Sequence, residues 1–110
     1  MLIQFSIENH RSIKDSAVIS FAASKDKSLE SYLLHPDEKR ALLPAIAIYG
    51  ANAAGKSNVL HALMTMKDMV VGEAAKISKG QKLPWEPFCD TTVPTSFEVV
   101  FIYQGVRYAY

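Results

Sequence analysis

Residues 2–8 alternate strictly. Ile3, Phe5 and Ile7 fall on one side and Gln4, Ser6 and Glu8 on the other, the period of a half-buried β-strand. Polar Asn9-His10-Arg11-Ser12 ends that pattern, and the apolar stretch 17–22 reads as a second strand paired with the first. Residues 24–40 are charged and irregular. They predict a surface excursion or a short helix, anchored by Leu33 and Leu34. Residues 45–49 are apolar without alternation, between Pro44 and Gly50. That pattern predicts a strand buried on both faces, as in a parallel sheet.

From residue 56 the period lengthens. Val59, Leu63, Met66 and Val70 share one helical face, with Ala62 and Met69 beside them, while Asn58, His61, Thr65 and Asp68 lie opposite. This predicts an amphipathic helix over 56–71, ending near Gly72. Residues 76–94 carry Gly80, Pro84, Pro87 and Pro94 and read as loop. Phe97, Val99, Phe101 and Tyr103 alternate again. Gln104-Gly105 then supplies a two-residue turn, and Val106, Tyr108 and Tyr110 continue the alternation as a closing hairpin.

Composition adds bounds. The chain has 110 residues, of which 49% are hydrophobic and 21% charged, which suits one small globular domain. Lys plus Arg number 12 and Asp plus Glu 11, a formal net charge of +1, so no global basic field points to nucleic acid. Cys89 is the single cysteine, so no intrachain disulfide forms, and a reducing, cytoplasmic location is expected. The first residues lack the charged and apolar regions of a signal peptide. No apolar run approaches the roughly 18–20 residues that span a bilayer. The sequence stops inside an aromatic alternating stretch, and the expectation is a longer protein of which residues 1–110 form the N-terminal lobe, with a short final strand docked on a sheet as the plainer alternative.

Gly50-Ala51-Asn52-Ala53-Ala54-Gly55-Lys56-Ser57 matches G-x-x-x-x-G-K-[ST] at every defined position. The chemistry explains the spacing. Glycines permit backbone conformations closed to other residues and let phosphate oxygens approach. The loop's N–H groups form an anion nest, and the following helix adds the positive end of its dipole. Lys56 is expected to reach the β- and γ-phosphates of a nucleotide as a point charge and to serve catalysis. Ser57 is expected to bind Mg²⁺ through its hydroxyl. The predicted strand before the motif and helix after it are the context this loop requires.

Other parts of a hydrolytic site do not follow. Hydrolysis needs a carboxylate after an apolar strand, and none of Asp15, Asp26, Asp37, Asp68 and Asp90 follows a run of four apolar residues. A signature loop and a guanine-reading motif are also lacking. The G-x-G-x-x-G spacing of dinucleotide folds does not occur.

The segment Ile7-Glu8-Asn9-His10-Arg11-Ser12-Ile13 resembles the opening element of SMC-type and related DNA-repair ABC ATPases, with His10 in place of the usual aromatic. The bacterial AAA/ABC-type ATPases of the abortive-infection and OLD-like antiphage group are a nearer likeness. It extends over residues 20–24, 49–58, 84–88, 96–101 and 107–110, nearly the whole chain. The resemblance implies an α/β P-loop NTPase fold, an ABC/SMC-like ATPase head lobe with a mixed sheet around the P-loop helix. It implies ATP and Mg²⁺ as cofactors, held between two heads of a homodimer or a higher assembly. An effector nuclease or nucleic acid is the implied further partner, and no membrane is expected. It also implies that Arg11 approaches the nucleotide phosphates and that Asn52 lies near the γ-phosphate. Asn58 completes the resembling stretch. Ala53 stands where SMC-like loops commonly carry glycine.

Plainer readings apply to other residues. His61 is expected in solvent; His10 and His35 lack partners at metal-ligand spacing. Cys89 lacks an activating basic neighbour, Trp85 reads as a packing anchor, and Lys76, Lys79 and Lys82 as a solvated face. Two alternatives stand beside the ATPase head. One is a non-enzymatic nucleotide-binding or protein-interaction module that uses an exposed sheet edge. The other is a small kinase-like phosphotransferase, for which the sequence supplies neither lid arginines nor an acceptor site.

Overall fold

The computed structural model describes residues 1–26, 28–71, 86–89 and 92–110. It is a small mixed α/β structure with a four-stranded sheet and a two-stranded sheet. The chain divides into two compact units, Met1–Ser6 with Val18–Ile48 and Glu98–Tyr110, and Ile7–Ala17 with Tyr49–Phe97.

The larger sheet has the order β2-β1-β5-β6. Strand β1 (Leu2–Glu8) buries Phe5 and Ile7, each 1% exposed, as its alternation predicts. Strand β2 (Ala17–Ser20) lies beside it, and the Phe21 N–H just past its end donates to Ile3 O at 2.8 Å. The end of β2 therefore meets the start of β1, and the two run antiparallel. Strand β5 (Ser96–Tyr103) follows on the other side of β1. There Met1 and Ile102 exchange hydrogen bonds in both directions, at 2.6 and 2.8 Å, an antiparallel signature. Strand β6 (Val106–Ala109) pairs antiparallel with β5, Phe101 opposite Tyr108. The turn between them has φ of 49° at Gln104 and 77° at Gly105, the paired left-handed residues of a type I′ hairpin.

Two local expectations need correction, at residues 24–40 and at residues 45–49. Strand β5 buries Val100 and Ile102. Phe101 sits on the other face and stacks on Tyr108, ring centroids 5.3 Å apart, a cross-strand aromatic pair set by the hairpin register. The charged stretch 24–40 contains a single 3₁₀ turn, Glu30–Tyr32, and then a hairpin of β3 (Leu34–Asp37) and β4 (Arg40–Leu42). Asp37 closes that hairpin by accepting the Lys39 N–H at 2.9 Å and pairing with Arg40. Leu42 is its core anchor at 1% exposure. Residues 45–49 form no strand and are exposed, Tyr49 at 89%. An inner strand needs a neighbour on each side to bond its backbone. The four strands of the larger sheet bond one another antiparallel, so the expected mixed sheet with a buried strand at 45–49 does not occur among the described residues.

Helix α1 spans Lys56–Val71. Ala62 and Met66, one turn apart, are buried; Val59, Leu63 and Met69 are half-buried. Val70 is 50% exposed, and Asn58, Thr65 and Asp68 are half-buried instead of solvated. The inward face is thus rotated toward Asn58, whose amide is held by Ser12. No helix of the described residues is long and apolar enough to cross a membrane. Gly72, Gly80, Pro84, Trp85, Lys76, Lys79 and Lys82 lie outside the described residues.

Candidate functional site

The glycine-rich loop before α1 is built from tight turns. The Ala54 N–H donates to Ala51 O at 3.2 Å, and the Asn58 N–H to Gly55 O at 2.9 Å. Two loop residues take left-handed conformations, Ala53 with φ 64° and Gly55 with φ 86°. At Gly55 the positive φ favours glycine, and a Cβ there would lie 2.8 Å from Ser12 Oγ, so that the hydroxyl would have to shift. Ala53 adopts the same region with a Cβ, at a cost of about 1–2 kcal/mol. Strain of this kind concentrates at ligand-holding sites.

Lys56 opens the helix. Its Nζ arches back to donate to Gly50 O at 2.8 Å and Ala51 O at 2.6 Å. Its stem passes over Gly50, where a Cβ would stand 3.7 Å from Lys56 Cδ. The ammonium is thereby stationed over the loop rather than free in solvent. Ala53, Ala54, Gly55, Lys56, Ser57 and Asn58 line a cavity of about 330 Å³, within the range of small-ligand sites. The N–H groups of Lys56 and Ser57 belong to the first helical turn, whose donors lack intrahelical acceptors and favour anions. Ser57 is exposed in that turn, as is Asn52 in the loop.

The second component is the turn after β1. Asn9 and Arg11 both have positive φ, 52° and 50°. His10 and Ile13 exchange backbone hydrogen bonds, both 2.8 Å, and the Asn9 N–H donates to Lys14 O at 3.1 Å. The Asn9 side chain is 3% exposed. Its Oδ1 accepts the Phe88 N–H at 3.1 Å and its Nδ2 donates to Val93 O, while Thr95 Oγ1 donates to its carbonyl at 2.6 Å. His10 is 1% exposed and packs edge-on against Phe97, centroids 5.4 Å apart. Neither ring nitrogen has a hydrogen-bond partner among the described residues. Burial pushes its pKa below the ordinary 6.5, and the positive charge of Arg11 and His61 adds to this while Glu86 opposes it.

The sequence-predicted residues divide accordingly. Residues 53–58 share one cavity, and Gly50 and Ala51 engage Lys56 through their carbonyls. Arg11, expected at the phosphates, is paired with Glu86: Nε lies 2.9 Å from Oε2, Nη2 donates to Oε1 at 3.1 Å, and the Arg11 N–H donates to Glu86 O at 2.7 Å. Sequence reasoning did not single out Ser12 or Glu86. Ser12 Oγ accepts a hydrogen bond from Asn58 Nδ2 at 2.7 Å.

Backbone donors, a stationed ammonium and a helix start suit a phosphate chain. Among the described residues no group of three or more His, Cys, Asp and Glu side chains is arranged to hold a metal. A Mg²⁺ that came with a phosphate chain would keep most of its waters and need only one or two protein oxygens, and the exposed Ser57 hydroxyl could serve as one of them. Comparison with protein-family models, curated proteins and solved structures finds no match to this chain.

Proposed function

We propose that residues 50–57 grip the phosphates of Mg²⁺-bound ATP, as the N-terminal lobe of an SMC-like ABC-type ATPase head serving antiphage defence or DNA processing. The observation that carries the reading is Lys56. It stands at the first position of α1, with its ammonium over Gly50 and Ala51 and the cavity of residues 53–58 beside it. In this reading the loop N–H groups hold the phosphate oxygens and Lys56 neutralises developing charge. The Ser57 hydroxyl would hold Mg²⁺, which would supply positive charge against the phosphate oxygens. The resemblance adds a second head, in a homodimer or higher assembly, that completes the hydrolytic site. A nuclease or nucleic acid would then be the effector. Titrating Mg·ATP into the full-length protein tests the reading. Saturable binding that is lost in Lys56→Ala supports it; no binding, or binding indifferent to that substitution, sinks it.

One observation favours the alternative, a non-enzymatic interaction module. Strand β6 is the edge of the larger sheet, and all its residues are exposed, Val106 at 51% and Tyr108 at 43%. Such an edge is a template for a partner strand. ATP hydrolysis by the 110-residue chain alone would rule that alternative out.

A further inference from the structure

We propose that Ser12 is a positioning residue for the phosphate-binding loop, holding Lys56 and Ser57 in register from a separate, rigid turn. The proposal rests on the ATP-binding reading above. Its basis is where the hydroxyl sits. Ser12 Oγ accepts from Asn58 Nδ2 at 2.7 Å, and it stands 2.8 Å from where a Cβ on Gly55 would lie. Gly55 and Asn58 flank Lys56 and Ser57 in sequence. One side chain therefore braces both ends of the four-residue stretch that would hold the γ-phosphate and Mg²⁺.

The brace is useful only if its own support is stiff, and it is. His10 and Ile13 close the turn with two backbone bonds, Asn9 is buried and bonded on several sides, and Arg11 is tied to Glu86 through backbone and side chain. Gly55 at φ 86° has no intrinsic preference for that conformation. The hydroxyl packed against it disfavours the alternatives. The Asn58 side chain is fixed in the same way, which explains why a polar residue lies on the half-buried side of α1. Ser12 touches no phosphate in this account; it acts through Gly55 and Asn58.

Two readouts on the full-length protein test this in Ser12→Ala, Asn58→Ala and the double variant. Amide exchange at residues 55–58, measured by NMR without nucleotide, is expected to accelerate in Ser12→Ala while exchange in β1 and β5 stays unchanged. Mg·ATP affinity is expected to fall roughly two- to tenfold, the worth of one hydrogen bond. The double variant should bind about as weakly as the worse single variant, since the two residues act as a unit. Unchanged exchange at 55–58, faster exchange with unchanged affinity, or additive losses in the double variant would each overturn the role. If the wild type binds no ATP, the functional reading fails separately, and the exchange measurement still decides whether Ser12 braces the loop.

Discussion

Two turns in the second unit share a backbone feature and have opposite characters. The turn at Asn9–Ser12 and the loop at Gly50–Ser57 each place two residues at positive φ. In the first, the protein consumes the polar groups: Asn9 and His10 are buried, and Asn9 alone bonds Phe88, Val93, Thr95 and Lys14. In the second, residues 50–54 are exposed, and the principal side-chain bonds are those of Lys56 to the loop's own carbonyls. A turn that buries Asn9 and bonds it on several sides stabilises the fold, even with the His10 ring nitrogens unpartnered among the described residues. A turn that keeps strain and donors at the surface is suited to a ligand. Ser12 is the point at which the first supports the second.

The contrast is broken most severely at Asn9. Replacing it with alanine leaves the Phe88 N–H and Val93 O without their partner and puts a side chain that resists positive φ at 52°. Asn9→Ala should cost about 2–4 kcal/mol in denaturant unfolding. Gly55→Ala comes next. Positive φ and the close approach of Ser12 Oγ predict a loss of about 1–3 kcal/mol, together with weakened Mg·ATP binding. A smaller effect is expected from pH. His10 has a folded pKa below its ordinary value of 6.5, so between the two values the unfolded chain binds more protons than the native one. The His10 contribution to stability should therefore be constant above about pH 6.5, fall as pH drops toward the folded pKa, and level off below it. His10→Phe should remove that slope from the pH dependence of the melting temperature. The smallest effect is at Ala53, where glycine relieves the left-handed strain but frees the unfolded chain. Ala53→Gly should raise stability by about 0.5 kcal/mol, or leave it unchanged, by the same unfolding measurement.

What could be read from sequence follows the range of the interactions involved. Strand β1, helix α1 and the Gln104-Gly105 turn rest on local period and turn chemistry, and all three appear where the pattern places them. The glycine-rich loop was legible because its residues are contiguous. The β3–β4 hairpin was not, because its strands are short, charged and interrupted by Pro36. Within the site, Ser12 meets Asn58 across 46 positions and Arg11 meets Glu86 across 75. No local pattern encodes either contact. The same reason accounts for Asn58, which periodicity assigned to solvent and the Ser12 bond draws inward.

The division of labour between the two turns is tested most directly by carrying out Mg·ATP titration and thermal melting together on the full-length wild type and Lys56→Ala. Charge-assisted bonds to phosphate lead us to expect a roughly ten- to hundredfold loss of affinity. Because the Lys56 ammonium bonds exposed loop carbonyls among the described residues, the melting temperature should drop by no more than about 4 °C. Retained ATP affinity, or a collapse in melting temperature comparable to that of Asn9→Ala, would contradict the account.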